Sequence, residues 1–428
     1  MPRPRVVVIG GGFGGLAAAK ALRNTPVDVT VIDRTNHHLF QPLLYQVATA
    51  GLAPSDITVP IRWILRNERN ANVIFGHVVG IDTGMREVIV SDIAAPIAYD
   101  ALIVASGSHH SYFGHDAWEP NAPGLKSLED ALELRRRFLV AFERAEQTTD
   151  PAERAALMTI VIVGGGPTGV ELAGMMIEIV RKAMPSDFRS IDTRASRIVL
   201  VEGGPRLLPA MPPHSSARAQ RDLERLGVEV RTGAIVTGVD ERGAQIGDER
   251  IATGNVFWAA GNQASSLGAM LGGPVDRAGR VLVRDDLSVP GHPEVFVVGD
   301  LAAVKRADGS LVPGVAPAAM QEGRRAGLNA LRIVNGETTS PFHYYNKGDL
   351  ATIGRNRAVA VFGKVEVSGY PAWLLWLFVH ILYLVGFRNR LSVLVQWAYA
   401  YFTFQRGVRL ITAAEGAAPA HSGAAGRP

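Results

Sequence analysis

The chain has 428 residues, 47% of them hydrophobic, a formal net charge of +4 and no cysteine. Its length and apolar content exclude a disordered chain and predict two or three domains with a substantial core, and 46 Gly and 25 Pro suit an α/β protein with many tight turns. The mild positive charge falls far short of a nucleic-acid footprint, and without Cys there are no disulfides, thiolate metal sites or redox-active Cys pairs.

Met1 to Arg5 hold no cleavable apolar stretch and lead directly into a strand, so the expected catalytic body is cytoplasmic. Val6 to Ile9 read as a buried parallel strand that runs into Gly10-x-Gly12-x-x-Gly15 and then a helix from Leu16. Strand, Gly-rich turn and helix in this order form a dinucleotide cradle: Gly10 allows the tight turn, Gly12 lets a pyrophosphate approach, and Gly15 lets helix and strand pack closely. The phosphates would sit on the free N–H groups at the helix start. A second strand, Val29 to Ile32, ends in Asp33, where a carboxylate would meet the ribose hydroxyls of an adenosine. Residues 34–51 form a polar loop that becomes apolar, long enough to wrap a cofactor. Short strands are expected at Val73–Phe75 and Val78–Asp82, and Leu102 to Val104 give a buried strand ending in Ala105, Ser106 and Gly107. Small residues there permit close backbone approach by a bound ligand. Residues 125–145 have helical periodicity with a charged face and read as a linker helix.

The pattern then repeats. Thr159 to Val163 lead into Gly164-x-Gly166-x-x-Gly169 and a helix from Val170; Arg197 to Val201 form the matching strand, ending in Glu202. Glu202 lies 38 residues beyond Gly164, against the usual ~20, because residues 181–195 lengthen the connection. Strands are expected at Glu229–Arg231 and Val236–Asp240. Val256 to Trp258 run into Ala259, Ala260 and Gly261, echoing Ala105 and Gly107, and Val295 to Val298 end in Gly299-Asp300. Two fingerprints, each with its own terminal acid, imply two dinucleotides. A carboxylate at Glu202 would repel a 2′-phosphate and favour NADH over NADPH, with Arg206 nearby to temper that preference. The histidine pairs His37-His38 and His109-His110 lack a carboxylate at ligand spacing, so no metal site is expected.

Near the end, residues 372–387 are almost wholly apolar; as a helix they would reach about 24 Å, short of the ~30 Å hydrocarbon core. A basic break at Arg388-Asn-Arg390 precedes Leu391 to Phe404, where Ser392, Gln396, Tyr399 and Thr403 fall on one narrow helical stripe. Arg406 and Arg409 close the segment. Apolar helices edged by Trp, Tyr and Arg suit a membrane interface over residues 371–409. A hairpin packed on the body or across a dimer would also bury that perimeter, and both arrangements hold if a dimer forms beside the membrane. The Ala-, Gly- and Pro-rich tail at 413–428 is expected to be disordered.

The order of motifs resembles a two-dinucleotide-binding-domain flavoprotein. Four segments, Phe40 to Ala48, Gly164 to Ala173, Gly314 to Gln321 and Lys347 to Gly354, are similar to those of type II NADH dehydrogenases, single-subunit NADH:quinone oxidoreductases. The likeness runs from about residue 5 to 411. It implies an α/β fold of two Rossmann-like domains: an FAD domain in two parts (1–124 and 269–340), an inserted NADH domain (125–268), and a C-terminal membrane-association and quinone-side region (341–412). It also implies that Asp300 lies near the FAD ribityl and pyrophosphate, and that Glu171 faces the nicotinamide–flavin contact and relays protons. The bare alternative for Glu171 is an acid favoured by the helix dipole. The family's quinone-side AQxAxQ motif aligns with Ala316 to Gln321, but Pro317 replaces its first Gln. The quinone contact therefore carries over to Gln321, with Ala316 as a backbone neighbour and Gln46 on the same side.

The resulting expectation is a peripheral FAD enzyme, a homodimer on the cytoplasmic face of the membrane, that passes electrons from NADH to quinone without pumping protons. Two rivals remain at this level. One is a soluble NAD(P)H:acceptor reductase of the same fold serving a protein or oxygen; the other is a membrane-tethered nucleotide redox sensor.

Overall fold

A computed structural model describes residues 2–403 and 408–411. Phe404, Arg406 and the tail expected to be disordered lie outside the described residues. Val6, Val7, Val8 and Ile9 are buried on both faces because they occupy the middle of a six-stranded sheet. Its strands run in the order Ser288–Val289, His292–Val297, Ala101–Val104, Arg5–Ile9, Asp28–Asp33 and Ala71–Phe75, parallel except for the first. The strand that ends at Asp300 thus returns to the first fold after the whole second fold has been laid down.

The second fold is a four-stranded parallel sheet ordered Glu229–Thr232, Arg197–Glu202, Thr159–Val163 and Asn255–Trp258. The repetition extends past the cradles. Each fold carries a three-stranded antiparallel excursion, Val78–Asp82 with Glu87–Val90 and Ile97–Ala98 in one, Val236–Asp240 with Gly243–Ile246 and Glu249–Ala252 in the other. Both shift register at their first Val-x-Gly, at Val78/Gly80 and at Val236/Gly238. A short antiparallel ladder, Ser108–His110 against Asn262–Ala264, ties the carboxyl ends of the two sheets together.

Six helices frame the site. Helix α1 (Phe13–Ala21) follows the first Gly-rich turn, and α2 (Leu128–Gln147) is the linker helix. Its start is fixed by a capping box in which Ser127 Oγ accepts from Asp130 N at 3.1 Å and Asp130 Oδ2 accepts from Ser127 N at 2.9 Å. Helix α3 (Pro167–Glu178) follows the second Gly-rich turn and passes into a single π turn at Ile179–Ala183. Helix α4 (Ala316–Val334) lies on α1, and α5 (Tyr370–Tyr383) and α6 (Phe387–Thr403) are the C-terminal pair. Between α4 and α5 an antiparallel sheet of Asp349–Gly354, Arg357–Phe362 and Val365–Ser368 covers α3. Helix and sheet touch backbone to backbone: a Cβ on Gly174 would stand 2.0 Å from Ile353 O.

The C-terminal boundaries differ from the sequence reading. The break falls at Leu384–Gly386, not at Arg388-Asn-Arg390: the first helix stops at Tyr383, Leu384 turns extended, and Gly386 at φ +90° reverses the chain just before the next helix, so both arginines belong to α6. Helix α5 is accordingly about 21 Å long. Among the described residues no helix is long and apolar enough to cross a membrane.

Candidate functional site

The two cradles are built alike, atom for atom. Gly10 and Gly164 take φ +101° and +113°, and a Cβ on either would stand 2.4 Å from Ala105 O or 2.7 Å from Ala259 O. Gly15 and Gly169 lie so close to the first glycine that an added Cβ would be 1.8 Å from its carbonyl oxygen. Gly12 and Gly166, by contrast, meet nothing within 4 Å. Both helices begin with no side-chain cap and no acid in the first turn, which leaves first-turn N–H groups of each free for phosphate oxygens. A dinucleotide fits both: the middle glycine is open where a pyrophosphate must come close, and the outer two are closed.

The terminal acids also correspond. Asp33 Oδ2 accepts from Gly11 N at 2.5 Å, and Glu202 Oε2 accepts from Gly165 N at 2.6 Å. The longer connection at 181–195 therefore leaves Glu202 in the expected place. Its second oxygen takes Gly204 N at 2.6 Å, whereas the second oxygen of Asp33 takes Thr35 through both N and Oγ1. Arg206 spends its guanidinium on Met211 O and Pro209 O. Gly107 and Gly261, at φ +69° and +70°, begin the two strands of the short ladder that joins the folds, and Ala105 and Ala260 precede them.

Asp300 sits at the end of its strand beside two groups that the sequence reading missed. Ser108 Oγ donates to Asp300 Oδ2 at 2.7 Å, and Lys126 Nζ lies 2.8 Å from Ser108 Oγ and 3.7 Å from Asp300 Oδ2. Burial lowers the Lys126 pKa while Asp300 holds it up. Glu322, next to Gln321 on α4, is the other missed group: it is buried, and its Oε2 accepts from Gly299 N at 2.6 Å. Burial, with Asp300 adding to it, raises Glu322 to about 7 against the pull of the Gly299 amide. An acid on the inward face of an amphipathic helix was the available signal.

Glu171 is buried in the first turns of α3, where the covering sheet and α5 meet it. Thr352 N donates to its Oε1 at 3.3 Å, and Trp376 lies beside it with a buried indole N–H that falls short of a good hydrogen bond. Burial raises the carboxyl to about 8, opposed by the Thr352 amide and Trp376, which favours the protonated form. His380, one turn along α5, stacks on Trp376 at 4.2 Å and bonds Trp376 O at 2.7 Å through Nδ1; burial lowers it to about 4.

Three of the four histidines in the two pairs bond to neighbouring protein groups, and the side chain of His109 is exposed. His38 bonds Gly11 O at 3.1 Å and burial lowers it to about 4; His37 meets Asn36 Oδ1, and His110 meets Asp130 Oδ2 at 3.1 Å. Among the described residues no three His, Asp or Glu side chains cluster as metal ligands do.

The C-terminal helices turn ordinary amphipathicity around. Ser392 and Gln396, on the polar stripe of α6, face inward to Asp56. Phe387 and Phe402, both 80% exposed, face outward with Leu391, Leu394 and Val395. On α5, Tyr370, Leu374, Phe378 and Leu382 recur every four residues and are likewise exposed.

Residues 4–323 match the family described as pyridine nucleotide-disulphide oxidoreductase, and residues 346–406 match the NDH2 C-terminal domain. Two curated relatives from Mycobacterium tuberculosis are type II NADH:quinone oxidoreductases. NdhA is 48% identical over 426 residues, which cover 96% of this chain and 90% of the relative. Ndh is 45% identical over 425 residues with the same coverage. The solved structure of NDH2 from Plasmodium falciparum in complex with NADH is similar in fold, with a TM-score of 0.87 at 20% identity, covering 96% of this chain and all of that one. The chain belongs to the type II NADH:quinone oxidoreductase family. Its fold is the two-Rossmann flavoprotein fold expected from the motifs, although it has none of the cysteines that the broader family's disulphide description refers to.

The segment expected on the quinone side, Ala316 to Gln321, opens α4. Pro317 occupies the first turn of α4, just after Ala316, where a helix tolerates proline. Gln321 engages both ends of its amide: Nε2 donates to Tyr345 O at 3.0 Å and to Pro317 O at 3.0 Å, and Oε1 accepts from Tyr345 N at 3.0 Å. Gln46 is buried, donates to Tyr45 Oη at 3.0 Å and accepts from Trp397 Nε1 at 2.7 Å.

Proposed function

We propose the following division of labour for this family member, an FAD enzyme that oxidises NADH and reduces a membrane quinone. FAD supplies the acceptor for the NADH hydride and delivers the electrons to quinone when bound in the first cradle. Gly10, Gly12, Gly15, Asp33, Ala105, Gly107 and Asp300 hold it there; Gly164, Gly166, Gly169, Glu202, Ala260 and Gly261 hold NADH. The observation that carries this reading is the pair of matching cradles whose strand ends are laced together by the Ser108–His110 and Asn262–Ala264 ladder. That lacing brings two dinucleotides to one junction, which hydride transfer requires.

Lys126 and Ser108 orient Asp300, and Glu322 orients the turn before it. Glu171, whose carboxyl burial raises to about 8, supplies from between α3 and the C-terminal sheet a proton that reduction of a quinone to a quinol consumes. Gln46, Ala316 and Gln321 border the quinone side, with Gln321 acting through the Tyr345 backbone it clasps. Glu202 with an occupied Arg206 favours NADH over NADPH. The segments follow the same division: 1–124 and 269–340 serve FAD, 125–268 serves NADH, and 341–412 serves quinone and membrane.

The outward apolar faces of α5 and α6 support attachment at the cytoplasmic face of the membrane, with a homodimer sharing the same flank. The test is purification in detergent, identification of the flavin, and NADH oxidation with and without a short-chain quinone. Yellow protein whose NADH oxidation rises with quinone is the expected result. A folded sample that stays colourless when given FAD overturns it. Full turnover with a soluble acceptor after loss of α5 and α6 selects the soluble reductase, and negligible turnover selects the sensor.

A further inference from the structure

The polar side chains that α6 turns inward all reach one stretch of chain. Asn389 Nδ2 donates to Thr58 O at 3.2 Å, Ser392 Oγ and Gln396 Nε2 donate to the Asp56 carboxylate at 2.9 and 3.0 Å, and Trp397 Nε1 donates to Gln46 Oε1 at 2.7 Å. Asp56 is only 6% exposed, and its remaining bond is from Ala53 N at 2.8 Å. Neutral donors thus meet a buried carboxylate: Oδ1 takes Ser392 Oγ, Oδ2 is shared by Ala53 N and Gln396 Nε2, and Gln396 Nε2 also donates to Ser392 Oγ at 3.0 Å, so removing one donor weakens a connected set.

The same stretch is gripped at its other end by the first cradle. His38 bonds Gly11 O inside the Gly-rich turn. Phe40 sets its ring against Phe13, the first residue of α1, at 5.8 Å and against His380 of α5 at 6.3 Å. Residues 38–58 therefore run from the flavin cradle to α6, with Gln46 between the two grips. The inward face of α6 holds this strap while its outward face, with Phe387, Leu391, Val395 and Phe402, remains open. Seating on lipid and holding the strap use opposite faces of one helix.

We infer that Asp56 is a positioning residue for quinone reduction: with Ser392, Gln396 and Trp397 it fixes the Gln46 wall of the quinone site against the membrane helix. The inference rests on the reading of Gln46 as quinone-side. It predicts a selective defect, because Asp56, Ser392, Gln396 and Trp397 lie at the α6 end of the strap, away from the His38 and Phe40 contacts with the first cradle, and the lipid-facing side chains are untouched.

The experiment uses full-length FAD-loaded enzyme carrying Trp397→Phe, Gln396→Leu, Asp56→Asn or Asp56→Ala. Three quantities are read: anaerobic flavin bleaching by NADH, KM and kcat for a short-chain quinone, and co-sedimentation with phosphatidylglycerol vesicles. Bleaching and vesicle binding are expected within about twofold of wild type, while quinone kcat/KM falls about tenfold, mostly through KM. Asp56→Asn, which keeps one acceptor oxygen, is expected to lose less than Asp56→Ala. Parallel loss of bleaching and quinone turnover, loss of vesicle binding together with quinone turnover, or no change in any of the three overturns the inference. Should the Asp56 variants fail to fold, Trp397→Phe decides, since it removes one N–H and keeps an aromatic ring. Gln46→Ala separates the two levels: an unchanged quinone KM sinks the reading of Gln46 itself, whereas a raised KM beside silent latch variants sinks only the latch.

Discussion

The two dinucleotide cradles begin from nearly the same sequence and end as different sites. Position for position, Ala17 in the first helix corresponds to Glu171 in the second, and Lys20 to Gly174. Around α1 the covering element is another helix, α4, whose Gly323 comes so near that a Cβ would stand 2.0 Å from Gly14 O. Around α3 the covering element is the C-terminal sheet, admitted by Gly174, and it brings Thr352 onto Glu171. The first cradle is enclosed within its own fold. The second is enclosed by a segment that also carries the helices with outward apolar faces. The turns are alike in backbone geometry, and what packs on the helix behind them differs: at the position of Ala17 in α1, α3 carries Glu171, which the C-terminal sheet and α5 bury.

The sharpest way to break the equivalence is to fill the innermost glycines. Gly15→Val is expected to abolish flavin retention and Gly169→Val to weaken NADH binding more than about a hundredfold while the protein stays yellow, because the new side chain meets a fixed carbonyl. Flavin content and NADH titration of the purified variants check this; a Gly169→Val protein that loses its flavin would mean that the two cradles do not act separately. Next in size is the outward face: Leu391→Asp with Phe402→Asp should lower vesicle binding by at least about tenfold and leave NADH bleaching of the flavin intact. Unchanged co-sedimentation would assign that face to a subunit contact.

A smaller effect separates the terminal acids. Glu202→Ala should erode discrimination against NADPH by about tenfold, read as the ratio of kcat/KM values for the two nucleotides. The smallest concerns Glu171 and is a matter of sign. Its folded pKa is raised to about 8, so the native state holds a proton that the unfolded chain releases near the ordinary carboxylate value. Stability from this group is present at low pH and is lost as pH rises from that value toward about 8. Glu171→Gln removes the titration, so the Tm of the variant relative to wild type should climb by roughly a few degrees between pH 5 and pH 9. A difference that stays flat would show that the carboxyl ionises as it does in water.

Much of this was legible in the chain. Both strand–turn–helix cradles, both terminal acids, the small-residue strand ends and the Gly-Asp turn stand where the motifs put them, since each is set by residues adjacent in sequence. The end of the first C-terminal helix was misread because charge at Arg388 and Arg390 looked like a break, while the backbone turned on Gly386. Lys126, Ser108 and Glu322 escaped notice because their partners lie far away in sequence: 192 residues separate Ser108 from Asp300. The polar stripe of α6 was visible in the spacing, but its direction was not, because a helix pattern names two faces and does not say which is covered.

The amino-acid order by itself determined the local matters: two Gly-rich strand–turn–helix units, their acids, an apolar C-terminal pair and the chemistry ruled out by the missing cysteine. Those depend on backbone sterics and hydrogen bonds within a few residues, which a sequence states directly. Only the tertiary structure decided that Glu171 is buried, with its pKa raised, that Asp56 receives α6, and that the phenylalanines of α6 look outward. Burial and partnership arise when distant segments displace water from one another, and that displacement is a property of the folded whole.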